Sequence, residues 1–350
     1  MQSLLSLMRS KIVHCKWIHA ALMLILIGAC VTHFFGVQGE IHLRADKAQT
    51  LSVANRPISL FLWDFQILND TEGNPVDFVS ELSLLDRSAR TPDHQMKIDG
   101  GTVRMNKPLK YRGYRFCQSD YDSDQMGVTL SYNYDPWGIG ITYTGYVLLL
   151  LGMITFFFRK NTYFRALWNK SVFRQHSGLY SVSAAVIIIV LAFVMTKVVT
   201  PRPPLQPVLQ TPLLGIHVSV IMLSYTLFAV VMINGILGLC VARWRETLMN
   251  LSQLLLYPAV FCLTAGIFIG AVLANLSWGR YWGWDPKETW ALITMLVYAA
   301  MIHWPVILKA RGRKPASQVA YHIISIIAFV FVLFTYFGVN HLLGGLHSYA

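Results

Sequence analysis

Residues 278–290 read WGRYWGWDPKETW, with four tryptophans (Trp278, Trp282, Trp284, Trp290) grouped around a Trp-Asp-Pro turn. Indole offers a broad flat face and one N–H donor, and it favours membrane interfaces. One tryptophan beside an apolar stretch anchors it there. Four around one turn, with Asp285 at its centre, exceed what anchoring needs and form a surface suited to a large flat ligand. The chain also holds eleven histidines. Imidazole is the commonest nitrogen ligand for metals, so those near the tryptophans are candidate ligands. Five cysteines (Cys15, Cys30, Cys117, Cys240, Cys262) show no Cys-x-x-Cys and no metal-type spacing. The sequence therefore predicts no disulfide framework and no thiol–disulfide activity of the chain's own.

The elements that position these residues are apolar. The chain has 350 residues, 55% hydrophobic and 13% charged, and its mean hydropathy is +0.48. That composition belongs to a polytopic membrane protein. The net charge of +12 then reflects basic inner loops and does not point to nucleic acid. Seven apolar runs are long enough to cross a bilayer: 17–35, 139–158, 179–199, 213–239, 254–275, 290–308 and 319–340. Arg9, Lys11 and Lys16 precede the first. Arg159, Lys160, Arg165, Lys170 and Arg174 follow the second without an intervening acid. Arg243 and Arg245 close the fourth, and Lys309, Arg311, Arg313 and Lys314 close the sixth. The charge bias puts the N-terminus inside and the tryptophan loop and C-terminal tail outside. The first run is too long, and lacks the small-residue site, for a cleaved signal peptide. Residues 201–207, PRPPLQP, cannot be helical.

Between the first two spans the chain turns polar. Alternation in 111–116 and 128–132, with turn signals at 69–73 and Asp135-Pro136, predicts a small β-rich domain outside the membrane, without a catalytic constellation. The predicted organisation is an N-terminal transmembrane helix (1–38), an extracytoplasmic β-rich domain (39–138), a second helix with a basic loop (139–178), and a membrane domain (179–350) carrying the tryptophan loop at 276–290.

This topology sorts the histidines by side. His217, early in the fourth span, and His347, in the tail, share the outer side with the loop. Two histidines flanking an aromatic surface suit axial ligation of haem, whose propionates Arg280 and Lys287 could meet. His303 lies about 20 Å into the sixth span, in the inner half. His19 lies at the inner end of the first. Ionisable groups within spans default to function, so this pair is a candidate second site. His14 and His33 compete with His19 for that role, and His322 competes with His303. His42, His94, His176 and His341 carry no signal.

The stretches WGRYWGWDPKETWALIT and FTYFGVNHLLGGLHSYA resemble the CcsA-type haem-handling proteins of system II cytochrome c biogenesis, from about residue 213 onward. The front part is similar to the C-terminal portion of ResB, in His19–Gly28, in residues 39–44 and 108–118, and at Asp135-Pro136. The whole looks like a fused, shortened two-subunit synthase. The resemblance implies that His217 and His347 ligate haem b at the outer loop, and that His303 and His19 match the inner histidines of the two parts. It further implies Trp278, Trp282, Trp284, Asp285 and Trp290 as haem contacts, and a holocytochrome c synthase (haem lyase) in a bacterial cytoplasmic membrane. The implied partner is apocytochrome c with its Cys-x-x-Cys-His segment, with a thiol-reducing protein and a further ResB-like subunit as additional candidates. Three other readings stand beside it: a haem-binding electron carrier, a transporter of another flat anionic compound, and a structural assembly partner.

Overall fold

The computed structural model describes residues 2–45, 49–53, 56–90, 96–160, 162–170, 211–310 and 318–343. The predicted third span, the proline-rich linker, His94, His176 and His347 lie outside them. The first helix, α1 (Gln2–Phe35), starts well before its apolar run. No glycine or proline interrupts it before Gly28, so the basic segment continues the helix.

A β-domain follows. Strands β1 (Val37–Arg44), β8 (Gly127–Tyr134), β7 (Tyr114–Tyr121) and β6 (Leu109–Tyr111) form one antiparallel sheet in that order. Strands β2 (Gln49–Val53), β3 (Arg56–Asn69), β4 (Pro75–Arg90) and β5 (Met96–Arg104) form the other. Alternate residues of the two sheets share one core: Leu43, Tyr114, Phe116, Val128 and Leu130 from the first, and Ile58, Leu60, Leu62, Leu82, Leu84 and Val103 from the second. The alternation seen in the sequence is this period-two burial. Pairing of Val37 with Tyr134 brings the end of α1 beside the start of α2 (Gly138–Phe158). The β-domain is thus the closed loop of a helical hairpin. That hairpin is packed backbone to backbone. A Cβ at Gly28 would strike the hydroxyl of Thr142, and one at Gly145 would strike Ile25 and the Ala21 carbonyl.

A short helix, α3 (Tyr163–Lys170), follows α2. The second half of the chain contributes α4 (Pro212–Cys240), α5 (Arg245–Ser277), α6 (Pro286–Ala310) and α7 (Gln318–Leu333). A π turn (Phe334–Gly338) and the short α8 (Val339–Leu342) extend α7. Thr211 caps α4, its side chain accepting from the Leu213 N–H, with Pro212 in the first turn. The helices pack around Phe228, Val231, Leu256, Leu263, Tyr298 and Ala328, with Phe228 stacked on Tyr298 at 3.6 Å.

Among the described residues, five helical stretches are long and apolar enough to cross a membrane: Lys16–Phe35, Gly138–Asn169, Pro212–Cys240, Ala242–Ser277 and Gln318–Leu342. Helix α6, about 37 Å long, runs among them. The protein is a helical membrane protein carrying a β-domain. The irregular part of the tryptophan loop is shorter than the 276–290 expected. Helix α6 starts at Pro286, so Trp290 lies within the helix.

The hairpin's close approach yields a test. Gly28→Val should destabilise the α1–α2 pair by about 1–3 kcal/mol, the usual cost of overpacking. It should also expose the α1–β1 junction to protease at lower temperature, read by limited proteolysis across a thermal ramp in detergent.

Candidate functional site

Three groups of chemistry-bearing residues emerge: a loop, a seam histidine and a histidine pair. The loop is organised by how α5 ends and α6 begins. Trp278 closes α5, its N–H donating to the Ala274 carbonyl at 2.8 Å. Gly279 then turns the chain with φ +73°, a conformation that favours glycine. At the other end Asp285 caps α6. Its Oδ1 accepts from the Lys287 N–H at 2.9 Å, Pro286 follows it, and Glu288 reaches back to the N–H groups of Gly283 (2.9 Å) and Asp285 (3.3 Å). The sequence Asp-Pro-Lys-Glu is therefore a capping box, which satisfies amides that α6 would otherwise leave unpaired. Asp285 is only 6% exposed, and its carboxylate faces the helix end.

The capping box holds Trp284 at φ +56°, a left-handed conformation costly for a bulky residue, with the indole 72% exposed. Trp282 meets it edge-on at 5.8 Å and 89°, so the two rings make a corner rather than one plane. Trp290 packs on Phe334 of the π turn at 4.2 Å. Lys287 Nζ donates to Asn340 Oδ1 of α8 at 2.9 Å, and Arg280 folds back over Gly283. Helices α6 and α8 are thereby joined just before the tail that carries His347.

The β-domain clasps the same loop from its other side. In β7 and β8 the residues facing away from the core are Arg115, Cys117, Ser131 and Asn133, paired across the strands. Asn133 Nδ2 donates to the Gly279 carbonyl at 2.7 Å, and Cys117 Sγ packs on Gly279. Arg115 donates to Asn275 Oδ1 at 2.8 Å, and Ser277 donates to Asn106 Oδ1 at 2.6 Å. A chain of hydroxyls then runs between the halves of the molecule. Thr142 donates to Tyr281, Tyr281 to Thr32, and Thr32 to Asp135 Oδ2, at 3.2, 2.9 and 2.6 Å. The sequence reading missed Asn106, Arg115, Asn133, Asn275 and Tyr281. The alternation in 111–116 does mark Arg115 as facing away from the core, but not what it meets. Burial pushes the Cys117 thiol up to about 12, which makes it a packing group and not a nucleophile.

His217, on the second turn of α4, lies half-buried against α5. Its Nδ1–H donates to the Gly266 carbonyl at 2.8 Å. That bond selects the tautomer whose basic lone pair is on Nε2, the usual state of a metal-ligating histidine.

The remaining pair joins the halves at the far end. His19 of α1 and His303 of α6 stand with ring centres 6.1 Å apart and planes at 78°. Counted from the β-domain ends of their helices they lie about 24 and 26 Å deep, at one level. Both are exposed. His303 Nδ1–H donates to the Ala299 carbonyl at 2.8 Å, again leaving the basic lone pair on Nε2. Two imidazoles on opposite sides of one metal, with bonds of about 2 Å and ~1.1 Å from nitrogen to ring centre, have centres roughly 6 Å apart. His322 differs. It is fully buried against Gly238 and bonds the Arg245 carbonyl through Nε2 at 3.0 Å. His33 lies in the last turn of α1, 14 residues beyond His19, and meets Phe34. Among the described residues no group of three His, Cys, Asp or Glu gathers as a metal site.

Comparison with known proteins agrees with this architecture. Residues 144–347 match the cytochrome C assembly protein family, and residues 16–135 match the ResB-like family. The chain belongs to the cytochrome c assembly protein family, with a ResB-like part in front. It is 38% identical over 168 residues to the cytochrome c biogenesis protein CcsA of Chlamydomonas reinhardtii, covering 45% of this chain and 46% of that protein. It is 39% identical over 176 residues to CcsA of Guillardia theta, covering 42% of this chain and 56% of that one. Protein NrfI of Wolinella succinogenes is 38% identical over 157 residues, covering 42% of this chain and 17% of NrfI. The matched region thus spans about half the length of these CcsA proteins and far less of NrfI.

Two outcomes follow. Glu288→Ala should cost about 1 kcal/mol and speed amide exchange at Gly283 and Asp285, while the exchange of α5 stays unchanged. Cys117 should resist maleimide at pH 8 in the folded protein and react fully once the protein is unfolded, as read by intact mass.

Proposed function

We propose that this protein carries haem b across the membrane as cargo and takes part in attaching it to apocytochrome c. The approach of His19 and His303 carries the reading. They come from residues 284 positions apart, on helices from the two family-matched parts, and their 6.1 Å spacing fits two axial imidazoles on one iron. This pair is the inner site. The bias of Lys and Arg at the inner loops supports a cytoplasmic N-terminus and an extracytoplasmic β-domain, and with the seven apolar runs read as spans the proposed setting is a bacterial cytoplasmic membrane.

The outer site is His217 and His347 beside Trp278, Trp282, Trp284 and Trp290, with Asp285 fixing the loop and Arg280 and Lys287 near the cargo's propionates. Imidazole at both ends gives the iron similar ligands before and after transfer. The exposed corner of Trp282 and Trp284 offers one ring to stack and one edge to confine. Apocytochrome c brings a Cys-x-x-Cys-His segment. Each thiol adds across a vinyl group, sulfur bonding one carbon and hydrogen the other, with no net oxidation. The substrate histidine replaces one outer ligand. This chain positions the reactants. Its own Cys117 stays protonated, so the thiolates are the substrate's, kept reduced by a thiol-reducing partner. A further ResB-like subunit fits beside the short front part, and the whole would act as a holocytochrome c synthase.

Optical spectra of the detergent-purified protein test the reading. The wild type should show a Soret band with sharp reduced α and β bands. His217→Ala should lose the outer six-coordinate signature and regain it with added imidazole, and His19→Ala or His303→Ala should lower total haem. Wild-type protein without haem, from cells that make it normally, would overturn the proposal. So would haem that is never passed to an apocytochrome c peptide, which is the behaviour of an electron carrier.

A further inference from the structure

Helix α5 carries two glycines one turn apart, Gly266 and Gly270, on its face toward α4. In membrane helices such a pair ordinarily lets two backbones approach. Here the two positions face different things. A Cβ at Gly266 would meet Cδ1 and Cγ1 of Ile221, an aliphatic side chain packed against the helical core. A Cβ at Gly270 would meet the His217 ring itself, 2.7 Å from Cε1, 3.0 Å from Nδ1 and 3.5 Å from Nε2. The same ring is held one turn away by the Gly266 carbonyl, which accepts from Nδ1 at 2.8 Å.

We infer that Gly270, with the Gly266 carbonyl, is a seat for His217: a positioning element that sets the ring plane and tautomer of the outer iron ligand. The inference rests on the reading of His217 as that ligand. The ring edge carrying Nδ1 and Cε1 is gripped between a carbonyl and a bare Cα. Any side chain at Gly270 must push the ring off that edge. Displacement breaks the Nδ1–H bond, and with it the preference for a lone pair on Nε2. A carbonyl partner also makes the imidazole a stronger donor to iron, so the seat bears on reduction potential as well as geometry. Helix propensity runs the other way, since alanine is the better helix former, so loss on Gly270→Ala would not come from the helix itself.

The test compares Gly270→Ala with Gly235→Ala, a second crowded glycine of the bundle, in the full-length protein. Gly270→Ala should weaken retention of outer haem by about ten- to hundredfold, a usual cost of losing a ligand's supporting partner. It should convert the six-coordinate spectrum to a five-coordinate one, and added imidazole should restore it. Gly235→Ala, which crowds α4 against the His322 carbonyl and Ile326 of α7 five turns from His217, should keep the wild-type spectrum. Equal loss in both variants would mean helix packing alone and overturn the seat. A wild-type spectrum in Gly270→Ala would overturn it as well.

A double-mutant cycle reads the same contact without haem. Gly270→Ala should lower the apparent Tm when His217 is present and leave it unchanged in the His217→Ala background, where the ring is gone. If Gly270→Ala does not accumulate, the double variant should. Additive losses in the two backgrounds would sink the inference. A His217→Ala protein with an unchanged haem spectrum would instead fell the ligand reading, while the cycle would still report whether Gly270 touches that ring.

Discussion

Every helix that ends at a membrane edge leaves backbone groups without an intrahelical partner. At the junction of α5 and α6 both kinds meet, carbonyls from one helix and amides from the other, and the stretch between is short. The capping box answers the amides of α6, and a sheet face answers the other end through Asn133 and Arg115. The loop is therefore fixed at both ends by polar bonds, and Tyr281 and Trp282 between them pack into an apolar cluster while Trp284 does not. That is why Trp284 can remain exposed at a left-handed φ. Hydrophobic collapse would pull such a ring inward, and only a fixed backbone on both sides keeps it presented.

The same logic explains why a β-domain belongs to a membrane protein of this kind. Its two ends emerge side by side from strands β1 and β8, so the hairpin of α1 and α2 is closed by a rigid unit. Asp135 stands at that closure, accepting from Thr32 and from the Gly138 N–H, and the hydroxyl chain through Thr32 ties it to Tyr281 of the tryptophan loop. A rigid unit at one end and the His19–His303 pair at mid-helix mean that the second half of α1 is referenced to α6 and the tryptophan loop. The histidine pair depends on that referencing. A slide of α1 by one residue shifts a side chain by about 1.5 Å along the axis and turns it by 100°, enough to separate two rings that now stand 6.1 Å apart.

Some of this was legible in the residues. The hydropathy runs at the described spans follow from length and composition, whereas the depth of His303, about 20 Å when counted from Trp290, becomes about 26 Å once α6 starts at Pro286. The box Asp-Pro-Lys-Glu had a readable helix-start signature, yet it was read as part of a ligand surface, because four tryptophans around it drew the interpretation toward the ligand. The predicted span starts at Trp290, so the four earlier residues of α6 from Pro286 and the contact of Trp290 with Phe334 are what the sequence did not show. The division of labour between Gly266 and Gly270 was not legible at all, since it depends on which α4 side chain falls over which glycine. Strand pairing in the β-domain was equally hidden. Alternation tells which residues share a face, whereas sheet order and the meeting of Asn133 with Gly279 depend on contacts between segments nearly 150 residues apart.

Histidines of one sequence differ in what their second nitrogen does. His217 and His303 both donate through Nδ1 to a backbone carbonyl, one across a helix seam and one within its own helix. His322 uses Nε2 and is sealed against Gly238. On the proposed reading the first two would serve as ligands in the same tautomer and through the same atom, each with a carbonyl partner at 2.8 Å. Counted along their own helices, His217 lies about 8 Å into α4 and the inner pair about 25 Å from the ends of α1 and α6 nearest the β-domain, so a cargo moving between them would travel on the order of 17 Å. Between chemically matched ends such a transfer has little thermodynamic slope of its own. Direction must then come from the last step. Thioether formation is effectively irreversible, so it would draw cargo outward without either histidine site being the tighter one. On that reading the carbonyl bonds at Gly266 and Ala299 would make one ligand of each site alike.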